Sequence, residues 1–266
     1  MADPGDFPRG SVWLIGAGPG DPELLTRKAE RLLRMADVVF HDALVGPGVL
    51  SLASPSARFV YVGKRSGRHS KAQDTISRLI VEAALGGSRV ARLKGGDPAI
   101  FGRATEELDA CHLAGVPVRI CPGITAASAA AADLGLSLTL RGTARQLTFV
   151  TAHTRAGEPL DINWKSLTDP QATLAIYMGK AAASAVAAGL MGAGLASSTP
   201  VALVENASLP NRRQFITRLD LLALAARTVC ADGPALILVG RGLRKPGIDG
   251  QTISVAGNLC PTALSD

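Results

Sequence analysis

The stretch Val12 to Thr26, VWLIGAGPGDPELLT, constrains the fold more than any other part of the chain. Four apolar residues, Val12 to Ile15, have the length and composition of a short buried strand. The pattern then stops at alternate glycines, Gly16, Gly18 and Gly20. Asp21 is placed to cap a helix and Pro22 to occupy its first position, so a helix is expected from there. Strand, glycine turn and helix start together make a ligand-binding corner of an α/β sheet. A dinucleotide is the first ligand to weigh, because Asp42 closes the next apolar run at the distance expected of a ribose-binding carboxylate. The third glycine of that fingerprint is missing, with Asp21 in its place. A carboxylate repels a pyrophosphate, and Pro19 removes a backbone donor. A nucleoside without phosphates, and a cationic one in particular, suits this turn better.

Helix and strand signals alternate through the first half. Leu24, Leu25, Ala29, Leu32 and Leu33 form a stripe that predicts a helix over Pro22 to Met35. Val38 to Phe40, Arg58 to Val62, Arg89 to Leu93 and Val116 to Cys121 read as strands. Ser70 with Gln73 makes a capping box for a helix to about Leu85, and a second helix spans about Gly102 to Ala114. Pro122 to Thr125 then opens an alanine-rich helix ending near Leu134. Such a βα repeat builds a mainly parallel sheet. Ser137 to Arg145 breaks the rhythm. Beyond it, Leu147 to Thr151, Thr173 to Tyr177, Val201 to Val204, Gln214 to Thr217 and Ala235 to Val239 read as strands. Lys180 to Leu190 reads as a helix, and Asp220 is expected to cap another through Ala226. These strands lack regular helical crossovers, which predicts a mixed sheet. The expected organisation is therefore α/β: an extension over 1–10, an α/β domain with a mainly parallel sheet over 11–136, and a linker over 137–145. A second α/β domain with a mixed sheet follows over 146–242, then a Gly/Pro-rich, poorly ordered tail over 243–266.

A chain of 266 residues has ample material for core. Its longest apolar run, Ala181 to Ala196, is broken by Ser184, Gly189, Gly192 and Gly194, so no membrane span is expected. The opening MADPGDFPRG lacks the regions of a signal peptide, which points to the cytoplasm. About ten residues precede the first strand, so no further module is expected on that side. Cys111, Cys121, Cys230 and Cys260 are dispersed, as are His41, His69, His112 and His153. Reduced structural thiols and no metal site are expected. The net charge of +6 calls for an anionic partner. No aromatic-interleaved basic stripe suggests nucleic acid. The cations gather instead at predicted strand ends: Lys64, Arg65, Arg68, Arg92, Lys94, Arg103, Arg141 and Arg145. Strand ends line the ligand crevice of an open α/β sheet, so an acidic small molecule is expected.

Four loops marked by glycine or proline stand at strand ends: GAGPGDP, LKGGDP, CPGIT and YMG. They hold few cations, and none is a P-loop. Backbone groups and carboxylates suit adenine, ribose hydroxyls and an ammonium or sulfonium charge. The motifs GAGPGDPELLT, GKRSGRHS, RLKGGDPAIFGRATEEL, CPGITAAS, IYMGK and PVALVEN, in this order and spacing over about Val12 to Gly242, resemble the tetrapyrrole methylase family, on its branch acting on uroporphyrinogen III. The resemblance implies an active-site cleft between the two α/β domains, a homodimer, and S-adenosyl-L-methionine as methyl donor, leaving S-adenosyl-L-homocysteine. It implies methylation of two pyrrole carbons, C2 and C7, of a tetrapyrrole polycarboxylate to give precorrin-2, for sirohaem, cobalamin or haem d1 synthesis.

Carried over by matching motif, the cofactor contacts are Pro19, Gly95, Gly96, Asp97, Ile100, Thr125, Ala126, Met178 and Ala207. Asp97 would hold the ribose or the amino group. Asp42 matches a proton acceptor, Lys64 a proton donor, Arg103 a binder of substrate carboxylate and Glu106 a further proton acceptor. Asp42 would equally serve as a helix cap, Lys64 as a surface anion binder, Glu106 as a solvated first-turn residue and Met178 as core packing. The sequence leaves Lys180, Arg65 and Arg141 open between substrate contact and surface charge. It departs from the family pattern at His41, where tyrosine is usual, and at Ala99, where an aromatic is usual. Ala104-Thr105 stands for a glycine pair, Leu140 for histidine and Ala207 for glycine. The last is harmless only if that position needs no positive φ. The alternatives are a methylase of a later corrinoid intermediate, an NAD-dependent dehydrogenase, and a tetrapyrrole-binding protein without catalysis.

Overall fold

The computed structural model describes residues 6–63, 73–153 and 160–243. The chain divides into two compact units, 1–126 and 127–266. In the first, β1 (Val12–Gly16), β2 (Val38–His41), β3 (Arg58–Tyr61), β4 (Val90–Lys94) and β5 (Val118–Cys121) form a sheet in the order β3-β2-β4-β1-β5. Every pairing in it is parallel. Its central strands, β1 and β4, are buried throughout, as expected of strands covered on both faces. One face is covered by α1 (Arg27–Met35) and the short α2 (Pro47–Leu50), where Trp13, Ile15, Val39, Ala91 and Leu93 meet Ala29, Leu32, Leu33 and Val49. The other is covered by α3 (Gln73–Leu85) and α4 (Ala104–Leu113), through Ile76, Ile80, Ala84, Ala104 and Cys111.

The helix expected from Pro22 is interrupted. Asp21 does accept a hydrogen bond from the Glu23 N–H (2.9 Å), but it caps only a 3-10 turn, Pro22–Leu24. Leu25 and Thr26 are extended, and α1 begins at Arg27 with Thr26 Oγ1 accepting from the Ala29 N–H at 3.1 Å. A threonine followed by an unobstructed run of helix formers makes the better cap. The helix start thus lies beyond the glycine turn rather than inside it. The proposed cap Ser70 lies outside the described residues, and α3 is described from Gln73.

In the second unit, β6 (Gln146–Thr151), β7 (Ala172–Tyr177), β8 (Pro200–Glu205), β9 (Arg213–Arg218) and β10 (Ala235–Val239) form a sheet in the order β6-β7-β10-β8-β9. β6 and β7 are parallel and the remaining pairs antiparallel, so the sheet is mixed as expected. One face packs on α6 (Ala183–Gly192) and α7 (Leu222–Thr228) through Val186, Leu190, Leu222 and Ala225. The other packs on α5 (Ala126–Leu134), whose Ala127, Ala129, Ala130 and Leu134 meet Ala175, Ala202, Val204, Leu236 and Leu238. Small side chains let that helix lie close to the sheet. The division between units thus falls at the start of α5, where the sequence rhythm places a boundary after it. Asp220 does not cap α7. It pairs with Arg218 (2.9 Å), and the residue before the helix, Leu221, makes no side-chain cap. Gly242 and Leu243 are buried in a final 3-10 turn, and the tail beyond 243 lies outside the described residues.

Candidate functional site

All strand C-termini of the first unit share one sheet edge because every strand is parallel. The chain leaves β2 toward β3 on one side and β4 toward β5 on the other, so β2 and β4 flank the topological switch point, where α/β sheets bind ligands.

Three loops close on one another at this edge, backbone to backbone. A Cβ added to Gly16 would stand 2.5 Å from the Gly123 nitrogen and 2.8 Å from the Gly96 oxygen, and one on Gly123 would stand 2.3 Å from that same oxygen. The Ala17 N–H donates to the Lys94 carbonyl (2.8 Å), the Gly18 N–H to the Gly96 carbonyl (3.2 Å), and the Gly96 N–H back to the Gly18 carbonyl (2.7 Å). Donors that a pyrophosphate would need are already committed, and α1 starts too far along the chain to offer its own. The dinucleotide reading fails on both counts. Gly96 takes φ +69°, and a Cβ there would meet only the Ala126 nitrogen, at an ordinary 4.0 Å, so the backbone conformation rather than crowding calls for glycine. Gly95 is required for another reason: its Cβ would fall 2.8 Å from that of Leu44.

Asp97 ties these loops together. One carboxylate oxygen accepts from the Gly123 N–H (3.0 Å), the other from the Ala99 N–H (2.8 Å), and its carbonyl accepts from the Ile100 N–H (3.1 Å). Pro19, Ile100, Thr125 and Ala126 are half-buried around the same corner.

The cations expected to face an acidic ligand are placed differently. Arg92 and Lys94 lie buried on the α4 face of β4, against Glu107, whose side chain is 0% exposed. Arg92 Nε donates to Glu107 Oε1 (3.0 Å), Lys94 Nζ to Glu107 Oε2 (2.8 Å), and Arg92 Nη2 reaches Asp42 Oδ2 at 3.2 Å. Two cations and two carboxylates cancel, so this cluster presents no net charge to a polycarboxylate. Desolvation, helped by Arg92, outweighs the pull of Glu107 and Asp42 and lowers the Lys94 pKa. Burial, followed by the Glu107 charge, pushes the Cys111 thiol up to about 11. Sequence reasoning passed over Glu107 in favour of Glu106. The helical spacing Ala104, Glu107, Cys111 is the signal that puts Glu107 on the buried face.

Asp42 closes β2 half-buried, its Oδ1 accepting from the Leu44 N–H at 3.0 Å. Arg103 and Glu106 are brought together, Nε to Oε1 at 2.8 Å, with both side chains largely exposed. Desolvation pushes the Glu106 carboxyl up, but the Arg103 hydrogen bond, its own backbone and the charges of Arg103 and Lys94 outweigh it, leaving its pKa lowered. Lys64, Arg65 and Arg68 lie outside the described residues.

In the second unit, β7 and β8 both run antiparallel to β10, so Met178 and Ala207 follow their strands at one edge of that sheet. Met178 takes φ 55° and is 47% exposed, which removes it from the core. Asn206 and Ser208 also take left-handed backbone, at φ 54° and 69°; Ala207 between them is buried without it, so the missing glycine costs nothing there. Lys180 is a structural tie: it donates to the Ala231 carbonyl and sits 3.4 Å from buried Glu205, which accepts from the Ala231 and Gly233 N–H groups at 2.9 Å each. Among the described residues no group of three or more His, Cys, Asp or Glu is placed to hold a metal, and no helix is long and apolar enough to cross a membrane.

The first unit is therefore a doubly covered parallel sheet whose binding loops are built from backbone and carboxylates rather than phosphate-binding donors. Residues 11–223 match the family of Tetrapyrrole (Corrin/Porphyrin) Methylases, and the chain belongs to it. It is 47% identical to a uroporphyrinogen-III C-methyltransferase of Pseudomonas aeruginosa, over 93% of this chain and 99% of that one. It is 46% identical to a siroheme synthase of Gluconobacter oxydans over 90% of this chain, and there it spans about half the relative's length (51%). The crystal structure of a uroporphyrin-III C-methyl transferase from Thermus thermophilus, complexed with S-adenyl homocysteine, superposes with a TM-score of 0.75 at 39% identity, covering 88% of this chain and 98% of that one.

Proposed function

We propose that the protein transfers methyl groups from S-adenosyl-L-methionine to two pyrrole carbons of uroporphyrinogen III, giving precorrin-2. The observation that carries this is the likeness to the Pseudomonas aeruginosa methyltransferase across 99% of that relative's length. In the first unit, the room beside Gly96, where a Cβ would meet nothing closer than 4.0 Å, fits a nucleoside better than a phosphate; in the second, half-exposed Met178, held out by left-handed backbone, fits an apolar contact to a sulfonium. When bound, the cofactor supplies an electrophilic methyl group.

The chain's own residues bind, align and manage a proton. Pro19, Gly95, Gly96, Asp97, Ile100, Thr125, Ala126, Met178 and Ala207 are the cofactor contacts. A pyrrole carbon is itself a competent nucleophile, so alignment contributes most of the acceleration. When that carbon gains a methyl group the ring gains positive charge and must lose a proton. Asp42, whose Oδ1 accepts from the Leu44 N–H, is the acceptor. Arg103 meets a substrate carboxylate by exchanging its bond to Glu106, a carboxylate whose lowered pKa makes it a better counter-ion than base. Lys64 is the proton donor of this reading. A cytoplasmic homodimer completes it, supported by the family resemblance and checked by light scattering.

The test is anaerobic incubation with uroporphyrinogen III and S-adenosylmethionine, reading the mass of the tetrapyrrole and the S-adenosylhomocysteine released. Two added methyl groups and two equivalents of S-adenosylhomocysteine are expected. Tight cofactor binding with no methyl added would move the substrate to a later corrinoid; no cofactor binding would overturn the activity.

A further inference from the structure

The buried cluster behind Asp42 has no part in the reaction as described above, yet it is the most heavily charged part of the first unit's core. Glu107 lies fully buried on α4 and accepts from three side chains: Arg92 Nε (3.0 Å), Lys94 Nζ (2.8 Å) and Gln73 Nε2 (3.3 Å). Arg92 spends its remaining nitrogens on the Leu93 carbonyl (2.5 Å) and on Asp42 Oδ2 (3.2 Å). Side-chain exposure rises along this chain of contacts from 0% at Glu107, through 6% at Arg92, to 24% at Asp42. One end is locked in the core and the other opens at the end of β2, beside the switch point.

Burying charges is expensive, and a well-packed apolar cluster would be at least as stable. A planar guanidinium held on three sides, however, fixes the direction of a carboxylate in a way that an apolar contact cannot. We infer that Arg92 and Glu107 are positioning residues for the methyl transfer: Glu107 clamps the Arg92 guanidinium, and Arg92 in turn holds the Asp42 carboxylate in the orientation that receives the proton. This inference rests on the function proposed above. It departs from that function in placing residues outside the cofactor and substrate contacts in control of the rate.

The experiment is a double-mutant cycle of Arg92→Lys against Asp42→Asn, read on the full chain in two independent ways. The lysine keeps the charge but cannot hold Glu107 and Asp42 at once. In single-turnover assays, Arg92→Lys is expected to lower the methyl-transfer rate on the order of a hundredfold, with S-adenosylmethionine Kd changed less than about threefold. In the Asp42→Asn background the same change should have little further effect. In denaturant unfolding the two substitutions should also be non-additive, whatever the substrate proves to be. A rate loss from Arg92→Lys that persists undiminished without the Asp42 carboxylate overturns the proposal, as does strict additivity in unfolding. Failure of the wild-type protein to methylate uroporphyrinogen III overturns the substrate instead, and the unfolding cycle still decides whether the clamp exists. If Arg92→Lys does not fold, Glu107→Gln combined with Lys94→Met, which removes one buried charge of each sign, carries the same rate measurement. It should lower the rate while leaving cofactor Kd unchanged, and wild-type turnover in it would overturn the clamp.

Discussion

In the first unit, the turns directly after β1 and β4 take left-handed backbone at glycines, Gly18 and Gly96, and side-chain-bearing residues take it only further along the β4 loop, at Phe101 and Arg103. In the second, the turns after β7 and β8 take it at Met178, Asn206 and Ser208. The glycine loops approach each other until backbone touches backbone, and no side chain fits between them. The second unit's loops accept a cost of roughly 1–2 kcal/mol for each side-chain-bearing residue in that region, less for asparagine. In return they set a side chain at the sheet edge. The first unit then adds what the second does with a single lysine and glutamate: a buried set of opposed charges behind the edge. Where its glycine loops meet, one edge is shaped by the absence of side chains and steered from beneath, while the turns after β7 and β8 are shaped by the side chains themselves.

Breaking the charge cluster should have the largest effect. Glu107→Gln strands two buried cations, and loss of about 3–5 kcal/mol in urea unfolding is expected. Adding Lys94→Met should recover much of it, because one cation then remains opposite Asp42. Gly16→Ala comes next. Its methyl would press on the Gly123 nitrogen and the Gly96 oxygen, which are backbone and cannot swing aside, so a loss of about 3 kcal/mol in the same measurement is expected. Met178→Gly sharpens the contrast because stability and binding should move in opposite directions. Relief of the left-handed backbone should raise stability by up to about 1 kcal/mol, offset partly by glycine's entropy, while S-adenosylmethionine affinity measured by calorimetry falls. A gain in both would mean that the strained methionine has no ligand to meet.

The smallest effect concerns Arg103 and Glu106. Because the folded-state pKa of Glu106 is lowered, the pair contributes stability above the usual glutamate value of 4.5, and this is lost as pH falls below it. Both groups are largely exposed, so solvent screening limits the contribution to about 0.2–0.5 kcal/mol. Acid titration of Arg103→Ala beside wild type should differ by no more than that, and only while the carboxylate is ionised.

Most elements were legible in the chain because each rests on a local pattern. Strands β1 and β10 are short apolar runs bounded by glycine, proline or charge, and the glycines of the β1 and β4 turns mark their left-handed positions on their own. The mixed second sheet followed from the absence of helical crossovers. Residue spacing pointed to Asp21 as the cap and could not point to Thr26, since which of them starts α1 depends on how the glycine turn is tied to β4. Nor could it assign α5, whose alanine face suits any closely packed sheet and joins the second.

The charges divide most sharply between the two sources of information. Sequence by itself determined which residues bear charge and that several stand at strand ends, because that depends only on position along a strand. Tertiary structure alone decided that Arg92 meets Glu107 across 15 residues and Asp42 across 50, so that cations suited to an acidic ligand are neutralised in the core instead. A charge acts over a few ångströms in space, and the fold rather than the spacing of residues sets that distance.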